Sequence, residues 1–122
     1  MNYINNFKEG WLQVKRRVFI SQPTQYLTNK KILEEREIHK QTVLSIYPND
    51  EIEFVESVVD ILDSLDTSEV RTMSVACIGK SISLMATADV VYFADNWRNS
   101  NWCMIEYNIC NRYGIPIECS NR

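Results

Sequence analysis

Glycine and proline are scarce, three of each in 122 residues, and histidine occurs once. No GxGxxG, P-loop or GxSxG motif is present, and the single His39 leaves no HExxH. Dinucleotide-fingerprint, NTPase, triad-hydrolase and metalloprotease readings all lose support. The four cysteines, Cys77, Cys103, Cys110 and Cys119, show no CxxC spacing, and His39 is far from each of them in sequence. No metal site and no cofactor are expected. Cys103 and Cys110 fall on one face of a helix but too far apart to bond, so buried free thiols in a reducing compartment are expected. No apolar run approaches the roughly 20 residues that span a bilayer, and no signal peptide is read at the start, which makes a cytoplasmic protein without a membrane partner the expectation. Excess positive charge is also missing: 13 basic residues face 16 acidic ones, for a net charge of −3. The one short basic run, Lys15-Arg16-Arg17, leads into an apolar strand and reads as its solvated start. Nucleic acid is therefore not an expected partner, while a small anionic ligand remains compatible.

What is present alternates between strand and helix signals. Residues 1 to 14 are polar and Asn-rich with interspersed aromatics, and read as an N-terminal extension ahead of one domain over 15 to 122. Val18-Phe19-Ile20 forms an apolar strand stopped by Pro23. Thr28 is placed to cap a helix over 29 to 46 that ends at Pro48. "IEFVES" over 52 to 57 reads as a second strand, and 58 to 66 as a short helix or loop. Val75, Ile78, Ile82 and Met85 recur at helical spacing, so 72 to 87 is predicted to be amphipathic, with Gly79 pointing to close packing. "DVVYFA" over 89 to 94 has the continuous apolar character of a buried parallel strand. A last helix over 102 to 113 ends at Gly114, and "IPIE" closes as a short strand. The alternation implies an α/β three-layer sandwich around a parallel sheet of four to five strands.

Ligands of open α/β sheets bind outside the carboxyl ends of the strands. Those ends carry Ser21 and Gln22, then Glu56 and Ser57, then Asp95, Asn96 and Trp97. The segment after Asp95 runs into a helix whose one acid, Glu106, shares a face with Cys103, Cys110 and Tyr113 and is expected to be half sheltered. Glu106 is open to two readings: a dipole-favoured acid near a helix start, or a reactive group at a pocket rim. Asp95 is open to ligand binding or loop structuring, and Asp89 reads first as a residue that caps or holds a loop. Trp97, Trp102 and Tyr26 have the means to stack on a base or simply to bury area. Arg36 and His39 follow Ile32 along one helical face and read as a paired arginine and a core-edge histidine.

Three stretches, "RRVFISQPTQYLTNKKILEEREIHKQTV", "IEFVES" and "IGKSISLMATADVVYFADNWRNSNWCMIEYNICNRYGIPI", together resemble the nucleoside 2-deoxyribosyltransferase-like superfamily, and most of all its small phage and bacterial branch. The resemblance spans about residues 16 to 118 and rests on the order and spacing of these pieces. It implies a Rossmann-like or flavodoxin-like sheet and a site for the N-glycosidic bond of nucleosides or nucleotides. It further implies that Glu106 stands where the family's helix glutamate attacks the anomeric carbon, and that Asp89 matches an acid that binds or protonates the base. Gln22 and Pro23 match a ligand-contacting loop, and a homo-oligomer, dimer or higher, is implied because neighbouring subunits commonly complete such sites. "NSNWC" departs from the family pattern: Trp102 occupies a loop that usually has small residues, and Ser100 stands where transferases carry an aspartate. This departure bears on catalysis more than on binding. Two functions follow from the sequence. One is an enzyme with Glu106 as nucleophile, Asp89 or Asp95 as acid, and Gln22, Trp97 and Ser100 as ligand contacts. The other is a protein that sequesters a nucleotide signal in a phage–host conflict without turning it over. A structural module with a vestigial pocket is a third, plainer reading.

Overall fold

The computed structural model describes residues 4–7, 10–55 and 66–122. Two short strands, β1 (Ile4–Phe7) and β2 (Gly10–Leu12), pair antiparallel with a shifted register, so the expected extension contains secondary structure of its own. The remaining elements run β3 (Lys15–Ser21), α1 (Asn29–Ile46), β4 (Glu51–Phe54), α2 (Met73–Met85), β5 (Val90–Phe93), a 3-10 turn (Trp97–Asn99), α3 (Asn101–Tyr113) and β6 (Ile117–Cys119). All four later strands are parallel in the order β4-β3-β5-β6. Glu56, Ser57 and most of the segment expected over 58 to 66 lie outside the described residues.

Period-2 alternation divides β3 and β5 between two cores. Val18, Ile20, Val90, Tyr92 and Ala94 face one side, where Val43 of α1 packs on them. Phe19, Val91 and Phe93 face the other, against Met85 of α2 and Cys103 and Cys110 of α3. Helices therefore cover both faces, as a parallel sheet requires because both of its faces are apolar. The chain leaves β3 for β4 through α1 on one face and reaches β5 through α2 on the other. A crevice consequently opens between the carboxyl ends of β3 and β5, at the point where the strand order reverses.

Local chemistry sets the helix ends. Thr28 accepts a hydrogen bond at its side chain from the Lys31 N–H, 3.1 Å, and starts α1 where a threonine cap was expected. Ser100 does the same for α3, accepting from the Cys103 N–H at 3.2 Å. Gly114 stops α3 at φ 77°, a left-handed conformation that glycine adopts without a Cβ penalty. At the other end of the sheet Arg16 pairs with Asp50 and Arg17 with Glu53, each at 2.7 Å, so the basic run is matched by acids beside the strand start.

Two expectations about α2 need correction. Its buried residues are Cys77, Ser81 and Met85, whereas Val75 is 63% exposed. The apolar spacing over Val75, Ile78 and Ile82 thus marks one flank of the helix, not the line that meets the sheet. Gly79 is exposed, and a Cβ built there meets nothing within 4 Å, so close packing does not explain it.

Candidate functional site

Glu106 is the centre of the crevice. It lies on the buried face of α3 with Cys103 and Cys110, and only 2% of it is exposed, so it is enclosed and not half sheltered. It is the sixth residue of a helix that begins at Asn101, beyond the first turn where the macrodipole acts, and its oxygens bond to side chains instead of helix N–H groups. The dipole reading therefore does not account for its position.

Among the described residues three donors hold the carboxyl group. Ser21 Oγ, at the carboxyl end of β3, donates to Oε1 at 2.6 Å. Ser81 Oγ, from α2, donates to Oε2 at 2.6 Å, and Trp102 Nε1, one turn earlier on α3, donates to the same oxygen at 3.1 Å. The two hydroxyl bonds have the length of charge-assisted O–H···O⁻ contacts. Burial pushes the Glu106 carboxyl above its ordinary range, while the bonds from Ser21, Ser81 and Trp102 pull it back down. The site thus fixes both oxygens from three elements yet leaves the charged form only partly compensated.

The pocket at Glu106 is lined by Ser21, Gln22, Ile32, Arg36, Ser81 and Trp102, among others; it is partly open and leaves about 30 Å³ for water-sized molecules. That is room for about one water molecule. A second space, about 470 Å³, opens beside it between the amino ends of α2 and α3, lined by Ser74, Val75, Ile78, Ser100, Asn101, Trp102 and Ile105 with Thr24 and Gln25 of the β3–α1 loop. Its size is that of small-molecule sites, which run from about 300 to 1,000 Å³. A third groove, about 410 Å³, lies across the same loop and contains Pro23, Glu35, His39, Asp95 and Asn96.

The candidates read from sequence are therefore distributed, not gathered at one point. Ser21, Gln22, Trp102 and Glu106 meet at the small cavity. Gln22 Nε2 donates there to the Ile32 carbonyl at 3.2 Å, which ties the loop to α1. Ser100 caps α3 and lines the 470 Å³ groove. Pro23, Asp95 and Asn96 line the third groove, where Asp95 accepts from Ser120 Oγ and Asn96 turns at φ 65°. Asp89 stands at the opposite end of the sheet. Its Oδ2 accepts the Arg17 N–H and its own N–H bonds the Arg17 carbonyl, both at 2.8 Å, so it clamps the starts of β3 and β5 together. Trp97 is 2% exposed and packs among Phe93 and Tyr107 with the Arg98 guanidinium over its ring, so the core has taken a ring expected at the ligand. Tyr26 is 95% exposed and lines none of these spaces. Ser57 lies outside the described residues.

Two buried polar residues at the cavity were not singled out as site residues in the sequence. Ser81 is a lone hydroxyl on the Cys77–Ser81–Met85 line, and that interruption of an apolar face was its one available signal. Arg36 is buried, lines the cavity and donates to the Val55 carbonyl. Cys103 and Cys110, beside Glu106 on α3, are held protonated: burial pushes Cys103 up and Cys110 up to about 11, and a protonated thiol is a poor nucleophile. All four cysteines are free. Among the described residues no group of His, Cys, Asp and Glu side chains is arranged to hold a metal ion, and no helix is long and apolar enough to cross a membrane.

Comparison of the chain with protein-family models, with curated proteins and with solved structures found no match.

Proposed function

We propose that this protein handles nucleosides or nucleotides and cleaves or transfers their N-glycosidic bond through Glu106. The observation that carries the reading is the placement of Glu106: a buried carboxyl at the carboxyl ends of β3 and β5, with Ser21 and Ser81 fixing its two oxygens. Orientation of this kind favours displacement, because a positioned carboxylate divides one difficult substitution into two easier ones. A Glu106 oxygen would bond to the anomeric carbon as the C–N bond breaks, and the bonding pair would leave on the base nitrogen, which takes up a proton. Attack on the same carbon by water, or by an acceptor base, would then release the sugar and restore the carboxylate. Ser21 and Ser81 hold the nucleophile throughout, and the sugar would reach it from the adjoining 470 Å³ groove. The resemblance of the "VFISQP", "GKSISLMATADVVYF" and "NWCMIEY" segments to the nucleoside 2-deoxyribosyltransferase-like superfamily supports the choice of bond. On this reading the working form is a homo-oligomer, a partner subunit completing the ligand cavity.

One specific observation favours a second reading, a protein that holds a nucleotide without cleaving it. A two-carboxylate mechanism needs an acid for the departing base. Asp89 is at the far end of the sheet and Asp95 is in a separate groove, so among the described residues no second carboxylate lines the Glu106 cavity.

Purified wild type and Glu106→Gln are to be incubated with pooled nucleosides, nucleotides and ADP-ribose derivatives, and free and denaturant-released compounds read by mass spectrometry. Free base or transferred sugar, lost in the variant, is the expected result. An intact compound released only by denaturation establishes the second reading and overturns the first.

A further inference from the structure

Glu106 is enclosed, and the space around it holds about one water, while a groove of ligand size lies directly alongside. Among the described residues only two, Thr24 and Trp102, border both spaces. Thr24 is a short loop side chain. Trp102 is a half-buried ring at the second position of α3, and it alone of the two is bonded to the carboxyl group, through Nε1–H and Oε2 at 3.1 Å. Its neighbours along the cavity wall, Phe19, Ile20 and Ile32, are buried in the fold and have no comparable path outward. On its outer side Trp102 meets the open groove, where a rotated indole finds apolar surface on Val75, Ile78 and Ile105.

We propose that Trp102 is the door between the groove and Glu106. Closed, the indole covers the carboxyl group on the groove side and occupies one lone pair of Oε2. Open, it joins the two spaces and withdraws its hydrogen bond, while Ser21 and Ser81 keep the carboxyl group in place. Admission of a ligand and release of an Oε2 lone pair are thereby one motion. The link to ligand admission rests on the reading of Glu106 as the group that meets the ligand; the motion itself does not. The same ring sets which ligands enter, because a molecule must both fit the groove and displace the indole.

The test requires no ligand. Wild type, Trp102→Phe, Trp102→Ala and Glu106→Gln are treated with a water-soluble carbodiimide and glycine ethyl ester, and labelling of the peptide containing residue 106 is followed by mass spectrometry. Hydrogen exchange of β5 amides, run in parallel, gives the rate of global unfolding. Trp102→Phe retains the bulk but not the N–H, and it serves as the folded control should Trp102→Ala fold poorly. The expected pattern is slow labelling of wild type, faster than global unfolding and insensitive to reagent concentration at saturation because opening limits it. Labelling should rise several-fold in Trp102→Phe and at least tenfold in a folded Trp102→Ala. Labelling of wild type no faster than global unfolding makes the ring a fixed plug and overturns the proposal. So does a folded Trp102→Ala whose Glu106 labels at the wild-type rate. Since no turnover is measured, a door that opens in a protein without N-glycosidic activity would remove only the proposed reaction.

Discussion

At the scale of single residues, Glu106 dominates because burial and hydrogen bonding act on it in opposite directions. Its folded-state pKa lies above the ordinary 4.5, burial being the larger cause. Below that value both folded and unfolded chains hold the proton and no difference arises. As pH rises from 4.5 through the folded-state value, the unfolded chain releases its proton first, so stability falls across that window and then levels off. Glu106→Gln should lose this decline, which urea titrations from pH 4 to 9 would read as a flatter profile than that of wild type. Ser81→Ala removes one of three donors to a buried carboxyl group and should cost about 1–3 kcal/mol at neutral pH. It should also raise the Glu106 pKa further, since the hydroxyl favours the charged form; carboxyl-region spectroscopy in a pH series would follow this. Of this cluster, Ser21 and Glu106 were legible in the sequence because a strand end and a helix acid fall where α/β sheets place ligands. Ser81 was not, because a serine inside an apolar helix pattern gives no sign of its partner 25 residues away. Trp97 and Trp102 carried the same signal, and only packing separated them into a core ring and a cavity wall.

At the scale of elements, the boundaries of α1 and α3 were legible because their caps are local chemistry: Thr28 and Ser100 at the starts, Gly114 at one end. The orientation of α2 was less so. Its apolar residues occupy a wide arc, and the neighbouring groove leaves Val75 and part of Ile78 uncovered, so periodicity alone indicated the wrong centre of the buried line. Its glycine provides a direct check. Gly79 has open space around a Cβ and an ordinary helical position, so Gly79→Ala should stabilise the protein by about 0.5–1 kcal/mol in thermal or denaturant unfolding. Gly114, at φ 77°, behaves in the opposite way: alanine there enters the left-handed region and should cost about 1–2 kcal/mol. Asp89 belongs to this scale too, since it fastens β3 to β5 through the Arg17 backbone. Asp89→Ala should lower stability by about 0.5–1.5 kcal/mol, the net value of one solvent-accessible hydrogen bond, without abolishing turnover. Loss of turnover in a fully folded variant would return Asp89 to the reaction.

At the scale of the whole molecule, the strand order places the site. The chain folds outward from β3 to β4 on one side and to β5 on the other, and this reversal opens the crevice that Glu106 fills. The alternation of apolar strands and capped helices was enough to read the layers, because the central strands β3 and β5 are apolar on both faces and so must be covered twice. The separation of Asp95 from Glu106 was not readable, since both follow β5 closely in sequence and only the β3–α1 loop between their grooves divides them. That division leaves Glu106 the one carboxylate among the described residues at its cavity.

The measurement that addresses this most directly is a search for sugar bound to Glu106. Wild type mixed with the pooled nucleosides and nucleotides is quenched in acid within seconds, and the peptide spanning residues 96 to 117 is mapped by mass spectrometry beside that of Glu106→Gln. A pentosyl or phosphopentosyl adduct on Glu106, absent from the variant and decaying as free sugar appears, is the expected result. Recovery of only unmodified peptide together with an intact, tightly held nucleotide would contradict a nucleophilic Glu106 and make this protein a binder.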